Sequence, residues 1–267
     1  MKLDLCIAGA TGGVGLCLVR AILASDRFNL VGAVARRESG RDIGAIATGK
    51  PCGLLVEGDL SAVLDRHRPH ALIDYTHPGI IKQHLKIAFD RKIPVVIGTT
   101  GFTDADFAEI DAAARKAGVG AATGNFAITA ALMQHLAKIA ARHVPHWEVI
   151  DYAKAEKPDV PSGTARELAE ELGRVQTPRI ALRDDQLYGP VAARGASFGG
   201  ARVHSVRLPG NPNIVQAIFG LPGERLTITH EGYQDQSIYV AGSLLAAERI
   251  QAMTGLVRGL DTLLFGD

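Results

Sequence analysis

Short apolar runs alternate with amphipathic stretches through the first half of the chain. The apolar runs predict strands at Leu3–Ala8, Leu30–Val34, Ala71–Tyr75, Pro94–Gly98 and Val119–Ala122. The amphipathic stretches between several of them predict helices at Gly13–Ala24, Ile80–Asp90 and Asp104–Ala117. Phe102–Asp106 places helix-capping side chains in front of the third helix. This alternation is typical of an α/β fold with a parallel sheet covered by helices on both faces.

The pattern changes after Asn125. Helices are predicted at Ile128–Arg142 and Thr164–Gly173, and a proline-rich turn lies at Lys157–Ser162. Strands are predicted at Trp147–Tyr152, Arg202–Leu208, Ile214–Phe219 and Arg225–His230, followed by a helical region over Ser237–Phe265. Strands that are not alternated with helices predict a C-terminal α+β domain with a mainly antiparallel sheet.

Composition and charge narrow the possible partners. The chain has 267 residues, of which 47% are hydrophobic and 21% charged, with a formal net charge of +1. These values are ordinary for a globular protein, and they argue against nucleic-acid or membrane-surface binding driven by bulk charge. Ala117–Ala137 contains no acidic residue, lysine or arginine, but its glycines and polar residues favour a strand, a turn and a helix start over a membrane span. We expect a cytoplasmic protein.

A glycine-rich loop follows the first strand and opens a helix. The loop runs through Gly9, Ala10, Thr11, Gly12, Gly13, Val14 and Gly15. Glycines there permit a tight turn and close approach of the backbone to a pyrophosphate, which the positive end of the helix attracts. In this strand–loop–helix context the loop predicts a Rossmann-like dinucleotide-binding domain. The alternative is a structural turn without a ligand.

The end of the second predicted strand carries Arg36 and Arg37. An acidic residue at this place would accept hydrogen bonds from a ribose 2′-hydroxyl, whereas arginine suits a 2′-phosphate. The two guanidinium groups therefore favour NADPH, with NADH possible as a second cofactor. The alternative is a solvated pair of surface arginines.

Several motifs together resemble one family over nearly the whole chain. Besides Gly9–Gly15, they are Asp74–Pro78, Gly98–Phe102, Gly124–Phe126, Lys157–Ala165 and Gly223–His230. In this order they resemble the dihydrodipicolinate reductase family, which makes tetrahydrodipicolinate in lysine biosynthesis. The block from Lys157 through Pro161, Ser162, Gly163 and Thr164 is the most specific of these motifs.

The resemblance implies a role for each matching position. Gly9, Gly12, Gly15 and Arg36 would hold the cofactor's phosphates and ribose, in a site that also includes Thr11, Gly13, Val14 and Arg37. The nicotinamide end would be lined by Gly98, Thr100 and Asn125, and Thr76 and Phe126 would also belong to the cofactor site. The substrate, a small anionic cyclic imine or enamine carboxylate, would contact Thr100, Lys157, Ser162, Gly163 and Thr164. A lysine ammonium beside the amides of a helix start is independently an anion site.

The resemblance also implies the division into domains and the assembly. Residues 1–126, completed by C-terminal helices over about residues 237–267, would form the dinucleotide-binding domain. Residues 127–236 would bind substrate and build a homotetramer through a shared sheet. The histidines and cysteines show no metal-ligand spacing, so we predict no metal site.

The chain departs from the family immediately before Lys157. The family reads Glu-x-His-His-x-x-Lys, with the first histidine as the proposed proton donor, whereas this chain has Ala153 and Lys154 at the two histidine positions. Lys154 and Tyr152 are therefore the candidate proton donors, beside Lys157 as a catalytic residue. For Tyr152 and Lys154 the alternative is a solvent-facing strand residue.

Three functional hypotheses follow. In the first, the fold and the hydride chemistry are kept, but the substrate or the proton donor is altered. In the second, the chain is a lysine-pathway reductase that receives its proton from water or Lys154, since hydride transfer depends above all on positioning. In the third, it is a non-catalytic NADPH-binding sensor. The retained block from Lys157 to Thr164 argues against the third hypothesis.

Overall fold

The computed structural model describes residues 2–99, 101–233 and 235–266. It divides into two compact units, the first formed by Met1–Ile128 with Gln236–Asp267 and the second by Thr129–Asp235. No helix within the described residues is long and apolar enough to cross a membrane. The uncharged stretch from Ala117 to Ala137 instead contains a short strand, a loop and the start of a helix.

The first unit is built on a parallel sheet. Its strands are β1 (Leu3–Ala8), β2 (Phe28–Val34), β3 (Val56–Glu57), β4 (Ala71–Asp74), β5 (Val95–Ile97), β6 (Gly120–Thr123) and β12 (Gly255–Arg258). Over the described residues these seven strands pair in parallel in the order β12-β6-β5-β4-β1-β2-β3. The predicted parallel α/β domain is thus confirmed.

Helices cover this sheet because its central strands are apolar on both faces. They are α1 (Gly13–Leu23), α2 (Ile43–Thr48), α3 (Leu60–His67), α4 (Pro78–Phe89), α5 (Asp104–Ala117), α8 (Val240–Arg249) and α9 (Leu260–Phe265). Leu5, Cys6, Ile7 and Ala8 are all fully buried, as expected of a strand with helices on either side. The predicted start of α5 is confirmed, since Thr103 forms a capping box with Asp106.

The predicted helical region over Ser237–Phe265 is wrong in its middle. Short 3₁₀ helices flank α8, and the chain then forms strand β12 before the last helix α9. Gly255 and Gly259 have φ values of +93° and +85°, which a helix does not allow, and they bracket the new strand. The strand pairs with β6 and becomes one edge of the sheet. Helices α2 and α3 and strand β3 were also absent from the sequence prediction.

The second unit is a sheet with two helices on one face. Its elements are α6 (Ile128–Ala141), β7 (Trp147–Ala153), α7 (Gly163–Val175), β8 (Ala196–Phe198), β9 (Ala201–Arg207), β10 (Asn213–Leu221) and β11 (Glu224–Gly232). Within the described part of this unit, the order is β11-β10-β7-β9-β8, and each pair is antiparallel except β7 with β9. The predicted mainly antiparallel sheet is confirmed.

Alternation along β7 separates the two faces of this sheet. Trp147, Val149, Asp151 and Ala153 are buried, whereas the residues between them are only partly buried. The buried face packs with α6 and α7 in one apolar core. Asp151 is therefore a carboxylate on the apolar face of a strand, where it needs partners.

Candidate nucleotide and anion sites

The glycine loop leaves the carboxyl end of β1, where the order of strands changes direction. The chain runs from β1 outward to β2 and β3, then returns to β4 on the other side of β1. In open parallel sheets, the crevice at such a switch point is where ligands bind. The loops after β1, β2, β4, β5 and β6 all emerge at this edge, since the strands are parallel.

Two of the loop glycines are required by close backbone contacts. Gly9 has a φ of +80°, and a Cβ there would lie 2.5 Å from the carbonyl oxygen of Tyr75. A Cβ at Gly15 would lie 2.1 Å from the carbonyl oxygen of Gly9. The loop is therefore folded tightly over the start of α1, as sequence analysis predicted for a nucleotide loop.

The start of α1 has the properties of an anion-binding helix end. Gly12 is the N-cap and provides no side-chain cap, and the first turn carries no acidic residue. The amides of Gly13 and Val14, in the first turn, have no carbonyl partner within the helix and lie at the positive end of its dipole. Thr11 lies half-buried just before them. Because no acidic side chain of the first turn competes for this cradle, a pyrophosphate fits it.

Arg36 and Arg37 follow β2 at the same edge of the sheet, and both are exposed. Neither guanidinium has a hydrogen-bond or ion-pair partner among the residues that the structure describes. By contrast, the neighbouring Arg41 is paired with Glu38. Two unpaired guanidinium groups one strand away from the glycine loop suit a phosphate monoester on the adenosine ribose.

Thr76 is held by a buried carboxylate at the end of β4. Asp74 is fully buried, and its Oδ1 accepts hydrogen bonds from the amide and the hydroxyl of Thr76. The other oxygen, Oδ2, accepts from Nδ1 of His84, at 2.7 Å. Sequence analysis missed this pair, although a charged residue ending a fully apolar strand was a usable signal. The pair fixes the backbone turn on which Thr76 lies.

Gly98 and Tyr75 form the next part of this edge. A Cβ at Gly98 would lie 2.2 Å from the ring of Tyr75, so the aromatic ring occupies the place of a side chain. The Tyr75 hydroxyl donates to Oγ of Ser243, at 2.8 Å. Burial raises the pKa of Tyr75 well above its ordinary value, so the phenol stays protonated. Thr100, the other residue predicted here, lies outside the described residues.

Asn125 and Phe126 follow β6. The Oδ1 atom of Asn125 accepts a hydrogen bond from the amide of Ala127, which shapes the turn after the strand. The Phe126 side chain is fully buried in the first unit. A Cβ at Gly242 would lie 2.0 Å from the Phe126 carbonyl oxygen, so the backbone of α8 packs directly on this turn. Phe126 therefore supports the loop from the protein interior.

Of the predicted substrate residues, Lys157, Ser162, Gly163 and Thr164 lie in the second unit, on the loop after β7 and the start of α7. Ser162 is the N-cap of α7, and Gly163 and Thr164 are its first two helical residues. A Cβ at Gly163 would meet no atom within 4 Å, so space is open above the helix end. Nζ of Lys157 lies 2.7 Å from Oδ1 of Asp159. Burial acts to raise the pKa of Asp159, but the hydrogen bond from Lys157, a backbone hydrogen bond and the charges of Lys157 and Arg207 together outweigh it, and the net pKa is lowered.

Asp151 uses both hydrogen-bond donors of Ser162. The amide of Ser162 donates to Oδ2 of Asp151, at 2.8 Å, and the hydroxyl donates to Oδ1, at 2.7 Å. A hydroxyl has one proton, so Oγ of Ser162 can accept from the amide of Ala165 but has nothing left to donate. In this arrangement both donors of Ser162 are directed at the Asp151 carboxylate, and a contact of Ser162 with substrate stays a prediction of the resemblance.

Sequence analysis also missed Arg207, which ends β9. Its Nη2 atom donates to Oδ2 of Asp151 and to the carbonyl oxygen of Asp159, each at 2.7 Å. The parallel register places Arg207 beside Ala153. No local sequence pattern could have indicated this, because the partners are 56 and 48 residues away along the chain.

The candidate proton donors fall in different surroundings. Ala153 is fully buried, while Lys154, the next residue, is exposed. The amide of Lys157 donates to the carbonyl oxygen of Lys154, so a tight turn leads from one lysine to the other. Tyr152 lies on the opposite face of the sheet from Asp151 and Ser162, because side chains alternate along a strand. A backbone turn thus joins Lys154 to Lys157, whereas Tyr152 lies on the face of the sheet opposite Asp151.

Comparisons with known proteins cover nearly the whole chain. The family profile described as dihydrodipicolinate reductase, N-terminus, matches residues 3–145, and the profile for the C-terminus matches residues 127–264. The 4-hydroxy-tetrahydrodipicolinate reductase of Moorella thermoacetica is 36% identical over 97% of this chain and 96% of that protein. The enzyme of the same name from Synechococcus elongatus is 37% identical, and each chain is covered to 97%.

A solved structure shares the fold as well. The dipicolinate-bound dihydrodipicolinate reductase from Paenisporosarcina sp. TG-14 superposes with a TM-score of 0.84 and 29% identity, over 98% of this chain and 99% of that one. The amine dehydrogenase from Mycobacterium smegmatis, at 14% identity and a TM-score of 0.69, shares the fold alone. The profile matches and the identities above one third over nearly full length show that the chain belongs to the dihydrodipicolinate reductase family.

Proposed function

We propose that this reductase uses NADPH to reduce a cyclic imine dicarboxylate, the 4-hydroxy-tetrahydrodipicolinate that appears in the names of its relatives. The observation that carries this proposal is the anion site of the second unit, where Lys157 and the exposed amide end of α7 lie on one loop. A helix end with open space above Gly163 suits a flat carboxylate. Dipicolinate, which is bound to the solved relative, is a ligand of this kind.

The first unit supplies the cofactor half of the function. Gly9, Gly12 and Gly15 shape the loop, and the amides at the start of α1 would hold the pyrophosphate. Arg36 and Arg37 would bind the 2′-phosphate, which favours NADPH over NADH. When bound, the cofactor supplies a hydride to the carbon of the C=N or C=C system. Gly98, Thr100 and Asn125 remain the predicted residues of the nicotinamide end, and Thr76 and Phe126 remain predicted cofactor-binding residues.

The second unit orients the substrate. Lys157, with the amides of Gly163 and Thr164, would neutralise one carboxylate and hold the substrate ring in one orientation. Because Lys157 is already paired with Asp159, part of its charge is balanced before substrate binds. The exposed Lys154 adds a second positive charge on the same turn, which suits a second carboxylate. Ser162 would act mainly as the cap of α7.

The proton for the reduced substrate would come from Lys154 or from water. Lys154 is exposed and begins the turn that leads to Lys157, whereas Tyr152 lies on the face of the sheet opposite Asp151. A positioned general acid contributes about 10²–10⁴-fold to a rate. A chain that relies on water would therefore turn over slowly while keeping its hydride chemistry.

A second candidate function is reduction of a different cyclic imine acid. It is favoured by Ala153 and Lys154, which stand at the two histidine positions of the family pattern. A buried methyl group and a fixed positive charge there replace two imidazoles that could titrate near neutral pH. A homotetramer built through the second units remains a prediction of the family resemblance.

A comparison of substrates separates the two functions. NADPH oxidation should be followed at 340 nm with enzymatically generated dihydrodipicolinate and, in parallel, with cyclic imines that carry one carboxylate. The proposed function predicts the highest kcat/KM for the dicarboxylate. A higher kcat/KM for a monocarboxylate would support the second function. NADPH binding without oxidation of any substrate would indicate a non-catalytic sensor.

A further inference from the structure

The loop from Lys157 to Ser162 is fastened at two points to one buried ion pair. Asp151 holds Ser162 through both the amide and the hydroxyl, and Arg207 holds the carbonyl oxygen of Asp159. The two anchors are themselves joined, since Nη2 of Arg207 lies 2.7 Å from Oδ2 of Asp151. The side chains of Asp151 and Arg207 are only 2% and 13% exposed.

From this network we propose that Arg207 is a positioning residue for substrate, acting through Asp151 and the backbone of Asp159. It would contact no ligand itself. It holds the loop so that the Lys157 ammonium and the amide N–H groups at the N-terminus of α7 are directed at the same carboxylate. The proposal rests on the proposed function, because it assigns this loop to a dicarboxylate.

Geometry explains why arginine is needed at this position. One Nη2 atom donates to a carboxylate oxygen and to a carbonyl oxygen, while Nη1 donates to the carbonyl oxygen of Val206, at 3.0 Å. The planar fork of a guanidinium can serve these acceptors at once, and an ammonium cannot hold the same directions. Losing Arg207 would leave Asp151 buried with its charge unbalanced, although the donors from Ser162 and Ser205 would remain.

The network also reassigns the role of Ser162. Both donors of Ser162 are directed at Asp151, so Ser162 fixes the start of α7. The positions of Gly163 and Thr164 therefore depend on that of Asp151. The substrate carboxylate would then be bound by the amides beyond Ser162 and by Lys157. Disturbing the ion pair should therefore weaken anion binding without touching the nucleotide loop, which belongs to the first unit.

A matched control lies on the same strand. Arg202 is also on β9, its side chain is 12% exposed, and it is paired with a carboxylate, that of Asp184. Asp184 is outside the loop from Lys157 to Ser162. Arg207→Gln and Arg202→Gln thus remove an equally buried guanidinium from one strand, but only the first removes an anchor of the loop.

The experiment measures two affinities in the full-length protein. Dipicolinate binding is measured by calorimetry in the presence of saturating NADPH, and NADPH binding by fluorescence, with melting temperature and oligomeric mass recorded for each variant. For Arg207→Gln we expect the Kd of dipicolinate to rise at least about tenfold and that of NADPH to change less than about twofold. Arg202→Gln should leave both Kd values within about twofold of wild type. Arg207→Lys should lie between wild type and Arg207→Gln.

Kinetics give a second readout. In NADPH oxidation, Arg207→Gln should raise KM for the dicarboxylate more than it lowers kcat, as expected when substrate positioning is lost before chemistry. If Arg207→Gln does not fold, Arg207→Lys carries the test, because it keeps the charge and removes only the planar fork.

Three outcomes would overturn the proposal. Unchanged dipicolinate affinity in Arg207→Gln or Arg207→Lys would show that the anchors do not position the loop. An equal loss in Arg202→Gln would show that any buried arginine of β9 has the same general effect. A wild-type protein that binds NADPH but not dipicolinate would overturn both this proposal and the dicarboxylate assignment on which it rests.

Discussion

Lys154 and Lys157 stand three residues apart on one turn but in different surroundings. The ammonium of Lys157 is paired with Asp159, whereas Lys154 is exposed and its ammonium has no partner in the described part of the chain. If Lys157 binds the substrate carboxylate and Lys154 assists proton transfer, their removal should change different kinetic constants. Substitutions at the two positions therefore serve as controls for each other.

Lys157→Met should raise KM for the dicarboxylate about tenfold or more, since a charge-assisted hydrogen bond to substrate is lost. Lys154→Met should instead lower kcat with a smaller change in KM. Steady-state NADPH oxidation with both variants measures this, and the NADPH Kd serves as the control for folding of the first unit. Equal effects of the two substitutions on KM and kcat would refute the separation of roles.

Arg36 provides the test of cofactor preference at a single residue. Arg36→Glu should weaken NADPH binding at least about tenfold, because a carboxylate would face the 2′-phosphate, and should change NADH binding much less. Fluorescence titration with each cofactor measures both values. The Arg41→Glu variant, in which an arginine already paired with Glu38 is replaced, is the control. Equal changes in the two affinities would disprove the 2′-phosphate role.

At the level of elements, the glycine loop and the N-terminus of α7 differ in the space that they leave for a Cβ atom. Gly15→Ala forces a Cβ to within 2.1 Å of the Gly9 carbonyl oxygen, so the loop must open. We expect NADPH binding to be lost or weakened at least about tenfold, since the cradle is no longer formed. Gly163→Ala meets no atom and should leave NADPH binding unchanged. Titration of both variants checks this, and normal NADPH affinity in Gly15→Ala would contradict the loop assignment.

Helix α6 and strand β11 are joined by a group whose charge depends on pH. Nδ1 of His230 is hydrogen-bonded to Oγ1 of Thr129, at 2.9 Å. Desolvation lowers the pKa of His230, with partial opposition from Glu231, so the folded protein resists its protonation. The unfolded chain takes up that proton below a pH of about 6.5, which means that stability is lost as the pH falls from about 7 toward the lower, folded pKa.

His230→Gln should remove this contribution while keeping a side chain that can hydrogen-bond to Thr129. We expect the melting temperature of the wild type to fall more than that of the variant between pH 7 and pH 5. Thermal unfolding across this range measures the difference. Parallel curves for the two proteins would show that His230 does not make stability depend on pH.

The elements with strong local signals were predictable from sequence. The apolar runs of the parallel sheet, the capping residues before Asp104 and the alternation in β7 each depend on neighbours in the chain. Strand β12 was missed because its residues extend a region rich in alanine and leucine, and only pairing with β6 makes them a strand. Tertiary pairing overrode local propensity there.

The candidate site divides in the same way. The glycine loop, Arg36 and the block from Lys157 to Thr164 are contiguous motifs and could be found by reading the chain. The anchors beneath them could not, because Arg207 meets Asp151 only through the parallel pairing of β7 with β9. His84 meets Asp74 across a helical turn and a loop in the same manner. Such supporting contacts require the fold.

At the scale of the whole molecule, the chain combines a Rossmann-like unit on a parallel sheet with a second unit in which we propose an anion site. Similarity to dihydrodipicolinate reductases extends over both units, since the two family profiles together match residues 3–264. The chain has Ala153 and Lys154 at the two histidine positions of the family pattern but keeps the block from Lys157 to Thr164. Under the proposed function, the chemistry of the whole chain would be hydride transfer to a dicarboxylate, with Lys154 or water as the proton donor.

Isotope transfer tests this claim most directly. The protein should be incubated with NADPH deuterated at the transferring position of nicotinamide C4 and with enzymatically generated dihydrodipicolinate, and the product examined by mass spectrometry. We predict that the reduced product gains one deuterium per NADPH oxidised, and that Lys157→Met slows this transfer. Confirmed NADPH binding with no deuterium in the product would contradict the assignment as a dicarboxylate reductase.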